Sequence, residues 1–393
     1  MDLPLSGIRI LDLSRLVPGA YTSQMMADFG ADVIKVEEPG SGDYSRSMQP
    51  LGPGGMGLYF LALNRNKRSV TLNLKSEQGR AIFLRMLDRA DVILESFRPG
   101  VMERLGLGYE QLKEKNSAII YCAISGYGQD GPYQLQAGHD LNYAGYAGLI
   151  HYNRSTHGEP VMPPTQFGDL AGGGQMALIG ILTALVGRAQ TGQGRKIDAS
   201  MTEGLLSLFS LSATTYLNTG KTPRPGYSAL DGGLPCYNIY ETQDGKHVTL
   251  AALEPKFWQT FCMKIGHLEL LPFHMPVGPG ERAKAQDILK TIFKTRTRDE
   301  WLAELAEIDA CVGPVYDIGE ALNDAQAQAR DVSVAGNIDG EPFHSLTSFP
   351  RISDVTVEQR YAPPRLGEHT EELLQEVGYS DTEIAQFRGE GTI

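Results

Sequence analysis

Ile8-Arg9-Ile10-Leu11-Asp12-Leu13-Ser14-Arg15-Leu16-Val17-Pro18-Gly19-Ala20 is the stretch that decides the fold class. Ile8–Leu13 reads as a buried strand, and Thr22–Phe29 as a helix stopped by Gly30. The turn between them holds Pro and Gly but no G-x-G-x-x-G, which disfavours a nicotinamide dinucleotide site and hence a dehydrogenase. The same rhythm continues outward. Val33–Val36 reads as a second strand and Val70–Leu74 as a third, followed by a long helix from Ser76 to Ala90. Val92–Leu94 is a fourth strand and Ala118–Ala123 a fifth. Strands alternating with helices at this spacing predict βαβ units. The fold class is therefore α/β, a Rossmann-like parallel sheet with helices on both faces.

Further on, Asp169–Val186 is apolar almost all round, which predicts a buried helix. Arg195–Ala199 reads as a strand and Met201–Tyr216 as another apolar helix. Residues 1–217 thus form a large domain. Composition then shifts: 218–233 is rich in Gly, Pro, Thr and Ser, and reads as a linker. Tyr237–Tyr240 and His247–Ala251 form a hairpin around Asp244-Gly245. Helices follow over 256–265, 282–293 and 298–307, so 234–325 reads as a small α+β domain. The tail carries helices near 368–377 and 381–387, the second with Ser380 and Glu383 at capping-box spacing.

Composition narrows the function. The 393 residues are 41% hydrophobic and 21% charged, ordinary for a globular enzyme. A net charge of −12 argues against a nucleic-acid partner or an anionic membrane surface. A small anionic ligand stays compatible through local basic clusters. The cysteines Cys122, Cys236, Cys262 and Cys311 are far apart, so no metal site and no disulfide framework is expected. The N-terminal Met1-Asp2-Leu3-Pro4 lacks a basic leader region, and the apolar run Met176–Val186 is too short to span a bilayer. The expectation is a cytoplasmic protein with no membrane association.

The chemistry concentrates in two strings. His139 lies in Ala137-Gly138-His139-Asp140-Leu141-Asn142-Tyr143, before a helical pattern. Asp169 lies in Phe167-Gly168-Asp169-Leu170-Ala171-Gly172-Gly173-Gly174. An Asp before an apolar helix is a preferred N-cap, but three glycines are costly in a helix interior and suggest a close approach to the backbone. A lone His is more often structural than catalytic; an imidazole nevertheless titrates near ~6.5 and serves as acid or base at neutral pH. An imidazole and a carboxyl facing each other across a gap can take a proton from one face of a carbon and return it to the other. A third acid, Glu254, stands in Leu253-Glu254-Pro255-Lys256-Phe257-Trp258, where its bland role is to cap the helix beginning at Pro255. Two basic clusters suit phosphates: Asn64-Arg65-Asn66-Lys67-Arg68 before the third strand, and Arg98 with Arg104 around Pro99-Gly100 after the fourth.

At Gly138-His139-Asp140, Asp169 and Glu254-Pro255 the chain resembles the α-methylacyl-CoA racemases of the family III CoA-transferase superfamily, along nearly its whole length. The resemblance implies His139 and Asp169 as the catalytic acid/base pair, with Glu254 hydrogen-bonded to the His. It implies a CoA channel lined by Val17, Pro18 and the rest of the loop to Ala20, by Leu72, Asn73, Leu74 and Lys75, by Ser96, Phe97 and Arg98, by Arg104, and by Ala137, Gly138 and Asp140. No cofactor beyond the CoA moiety of an acyl-CoA substrate is implied. It also implies that 326–393 is a return linker followed by the C-terminal part of the large domain, and that two subunits interlock as a homodimer. The helix after His139 is the candidate to stabilise an enolate. In transferases of the superfamily the same Asp is a nucleophile that forms an acyl anhydride, and a non-basic residue usually replaces the His. A glycine-rich loop that such transferases place in the small domain is not visible here. Some members carry Arg where this chain has Glu38; Arg46 or Arg65 would have to replace that contact. The readings carried forward are a 2-methylacyl-CoA racemase, a CoA-transferase acting through Asp169, and a CoA-binding protein without turnover.

Overall fold

Six parallel strands form one sheet: β1 (Arg9–Asp12), β2 (Asp32–Glu37), β3 (Lys67–Thr71), β4 (Val92–Glu95), β5 (Ile120–Ser125) and β6 (Lys196–Ser200). Their order is β3-β2-β1-β4-β5-β6, with Ile10 of β1 opposite both Val33 and Val92. The computed structural model describes residues 3–155 and 158–393; Met1 and Asp2, of the N-terminal stretch that lacks a basic leader region, lie outside them. Successive side chains of a strand point to opposite faces, and β1 shows it. Ile10 packs with Met26, Ala177 and Ile181, whereas Leu11 packs with Phe83, Met86 and Leu374. The helices that bring these partners are Val17–Asp28, Glu77–Leu87, Met176–Thr191 and Thr370–Glu376. Strand order reverses direction between β1 and β4. The chain there leaves the sheet to opposite sides and opens a crevice at the strand C-termini.

Two fully buried lysines sit under that crevice. Lys35 Nζ lies 2.9 Å from Asp43 and donates to the Ser14 carbonyl. Lys67 Nζ donates to Asn64 Oδ1 at 2.8 Å and lies 3.6 Å from Asp12. A buried charge is tolerated only when paired and hydrogen-bonded, and here the pairing fixes the segment after β1. Asp43 also accepts from the backbone N–H of Leu16, whose φ of 62° is costly for a branched side chain. The Asn64–Arg68 string is thus not a phosphate site. Arg65 pairs with Asp28, Lys67 is interior, and Arg68 pairs with Asp32, Glu372 and Glu376. The third strand accordingly begins at Lys67 rather than Val70, because buried acids let charged residues occupy its first positions.

Three further expectations are corrected. The helix expected from Thr22 begins at Val17, with Pro18 in its first turn, where a missing N–H costs nothing. The Met201–Tyr216 helix is two helices, Met201–Leu208 and Ser210–Thr219. The helix expected to be buried all round is not: it runs from Gly168 to Thr191 with only one side packed on the sheet, and Ile179 and Val186 are exposed. By length and composition alone that helix could cross a membrane, but Ala177, Ile181 and Ala184 lie against the β5 side chains Ile120, Cys122 and Ile124.

Two compact units make up the chain. The first comprises Met1–Ile150, Met162–Phe209 and Asp331–Ile393, and the second His151–Val161 and Ser210–Arg330. The second holds the hairpin Tyr237–Glu241/His247–Ala251, extended by Val312–Pro314 into a three-stranded sheet. Its core includes Trp258, Phe261, Phe293 and Trp301. The first unit also contains a hairpin, Ser333–Ile338 paired with Glu341–Leu346, in a stretch expected to be linker. Its turn, Asp339-Gly340, has both φ angles positive, the usual signature of a two-residue hairpin turn.

Candidate active site

The crevice between β1 and β4 contains a cavity of about 210 Å³ whose walls include both His139 and Asp169. His139 directly precedes the helix Asp140–Tyr146, and its backbone N–H donates to Asn142 Oδ1 at 3.0 Å. Tyr143, one turn on, donates its hydroxyl to the Gly138 carbonyl and so ties down the residue before His139. His139 is an exposed residue of the cavity lining.

Asp169 lines the same cavity. It is not an N-cap: Phe167 holds that position, and Asp169 lies in the first turn of a π-helical segment, Gly168–Gln175. Such segments are rare and concentrate at functional sites. The three glycines do admit a close approach, but of the protein itself. A Cβ on Gly172 would lie 2.4 Å from the Met201 carbonyl oxygen, and one on Gly174 would lie 2.8 Å from Tyr21. The wide helical turn is thereby pressed between Val17–Asp28 and Met201–Leu208, and the carboxyl is held at the cavity wall. Burial, and secondarily the Asp140 carboxylate, push the Asp169 carboxyl up to about 7. Asp140 Oδ1 also accepts the Asp169 backbone N–H at 3.0 Å. Burial and the nearby Asp169 raise the Tyr143 hydroxyl to about 12, so it stays a donor.

A second cavity, of about 350 Å³, opens at the C-terminal ends of β1, β2 and β3. Arg15 and Phe97 line both cavities, so the two adjoin. Pro18, Ser96, Phe97, Arg98, Ala137 and Gly138 line the first; Leu72, Asn73, Leu74, Lys75 and Phe97 line the second. Val17, Asp140 and Arg104 stand outside both walls; Arg104 ends the short helix Val101–Arg104, whose Val101 lines the second cavity. Glu254 belongs to the second unit and precedes the helix Pro255–Lys264. Its side chain makes no capping bond; its carbonyl accepts from Phe257 and Trp258. Arg46 and Arg65 are spent on Glu37 and Asp28, so neither is available in place of Glu38. Arg15 is not among the residues that the resemblance places on the CoA channel, which on this loop are Val17 to Ala20, yet it lines both cavities. Among the described residues no cluster of His, Cys, Asp and Glu could hold a metal ion.

Comparison with known proteins agrees with this architecture. Residues 5–370 match the family model for CoA-transferase family III. The chain is 36% identical over 397 residues to the human alpha-methylacyl-CoA racemase, covering 100% of this chain and 98% of that protein. It is 31% identical over 401 residues to the human succinyl-CoA:glutarate CoA-transferase, covering 99% and 90%. The crystal structure of a CAIB/BAIF family protein from Brucella suis superposes with a TM-score of 0.83 at 32% identity, over 96% of this chain and 100% of that one. The six-stranded parallel sheet and the match to the family model together place the chain in an enzymatic α/β family. The chain belongs to CoA-transferase family III, which holds both racemases and CoA-transferases.

Proposed function

We propose that this protein is a racemase that inverts the α-carbon of 2-methylacyl-CoA thioesters. The observation that carries the reading is the placement of His139 and Asp169 on one cavity, with the Asp169 carboxyl near neutrality. The thioester acidifies its α-hydrogen by delocalising charge onto the carbonyl oxygen. One group, as base, removes that proton and leaves an enolate; the other, as acid, protonates the opposite face. Either the imidazole is neutral and Asp169 protonated, or the reverse, and turnover in both directions needs both states populated. A carboxyl pushed to about 7 supports this, because an ordinary aspartic acid would be ionised at neutral pH.

Glu254 is proposed as an auxiliary carboxylate of the reaction. The CoA arm is proposed to run past Pro18, Ser96–Arg98 and Ala137–Gly138 to a nucleotide end at Leu72–Lys75, with Arg98 and Arg104 serving phosphates. The reaction requires no metal or redox cofactor. A homodimer is proposed as well, since Ile179, Val186, Leu206 and Leu208 are large exposed apolar side chains.

The competing reaction is CoA transfer through Asp169, supported by relatives named as transferases at similar identity. Deuterated water separates the two. Racemisation predicts deuterium at the α-carbon of a 2-methylacyl-CoA together with inversion. No exchange across a panel of such thioesters, combined with CoA transfer to a free acid, would replace this proposal with the transferase reading.

A further inference from the structure

The second cavity holds a charge arrangement that the acid/base chemistry does not use. Glu38 directly follows β2 and bridges two cations: Oε2 lies 3.3 Å from Arg15 Nη2, and Oε1 lies 2.8 Å from Lys75 Nζ. All three side chains line the cavity. Arg15 is fixed further by Tyr44, whose hydroxyl accepts from it at 3.0 Å and whose ring lies beneath its guanidinium. The neighbouring acid, Glu37, is not part of this set, being consumed by Arg46 and Ser69. Leu13, Val36, Leu72 and Leu105 supply apolar walls of the kind a flat base needs. The hydrogen bond to Lys75 lowers the Glu38 pKa, so it is a carboxylate at neutral pH.

A phosphate monoester entering this cavity meets cations already neutralised. It has to share Arg15 and Lys75 with a carboxylate of its own sign, or displace it. A ribose hydroxyl faces no such conflict, because a carboxylate after the second strand of such a sheet is a good hydroxyl acceptor. We propose that Glu38 is a specificity-determining residue. It reads the nucleotide end of the thioester by its ribose and suppresses the affinity that the 3′-phosphate would otherwise contribute. The inference rests on the CoA reading above.

The test is isothermal titration of the full-length protein with CoA and with 3′-dephospho-CoA, for wild type and Glu38→Gln, whose side chain keeps its size. The deciding quantity is the ratio of the dephospho-CoA Kd to the CoA Kd. Glu38→Gln is expected to raise it about tenfold through tighter CoA binding. A ratio that is unchanged or falls, or that rises only through weaker dephospho-CoA binding, overturns the proposal alone. Wild-type protein that binds neither nucleotide overturns it together with the CoA reading.

Discussion

Asp140 Oδ1 accepts the backbone N–H of Asp169 at 3.0 Å, so the residue beside His139 holds the acid that lines the same cavity. The bond couples two segments far apart in sequence and places a second negative charge near the Asp169 carboxyl. Asp140→Asn keeps an acceptor and removes the charge, so Asp169 should titrate lower. The limb of the kcat/KM profile that reports Asp169 should move to lower pH, with kcat at its optimum reduced modestly. Asp140→Ala also removes the bond and should cost far more in kcat. Equal kcat for the two variants would show that the bond contributes nothing beyond the charge, and an unmoved limb in Asp140→Asn would show that the charge does not act on Asp169.

Loss of either face of the acid/base pair should stop inversion. His139→Ala and Asp169→Asn are each expected to lower the racemisation rate by about 10²–10⁴-fold, the usual worth of a positioned acid or base. Borohydride trapping with acyl-CoA should leave Asp169 unlabelled in the wild type. An active His139→Ala protein with a trapped adduct on Asp169 would establish the transferase mechanism instead.

Glu95, at the end of β4, is buried, and burial pushes its carboxyl up to about 8. A folded pKa above the unfolded value of 4.5 contributes stability that is complete below 4.5 and disappears as pH rises through about 8. Glu95→Gln stays neutral and keeps an acceptor for the Phe97 N–H, which Glu95 now accepts at 2.7 Å. Its Tm relative to wild type should therefore climb across that window. A constant difference from pH 5 to pH 8.5 would mean that Glu95 does not change ionisation on folding.

Gly204 and Gly187 offer a matched pair. A Cβ on Gly204 would lie 2.0 Å from the Gly172 carbonyl oxygen, which as backbone cannot rotate away, whereas one on Gly187 meets nothing within 4 Å. Gly204→Ala should destabilise by about 1–3 kcal/mol or more and reduce kcat, since the π-helical turn it displaces carries Asp169. Gly187→Ala, inside the Met176–Thr191 helix, should stabilise by about 0.5–1 kcal/mol and leave kcat alone. Thermal melts and racemisation rates on the two proteins check both halves.

The α/β class is legible in the sequence alone, because Ile8–Leu13, Val33–Val36 and Val92–Leu94 are short, mostly apolar segments that alternate with helical patterns, the rhythm of a parallel sheet covered on both faces. The sequence also marks His139 and Asp169 as candidates, each by its own local string. Tertiary structure decided what local pattern could not encode. Lys67 and Arg65 look like a surface cluster until Asp12 and Asp28, distant in sequence, arrive to pair with them. Gly172 and Gly174 look like a ligand cradle until Met201 and Tyr21 fill it. Arg15 carries no motif, and only the meeting of β1 with β4 places it between two cavities. In each case the deciding partner is remote along the chain. Pairing energies and steric contacts of that kind depend on distance in space, which residue type and spacing do not record.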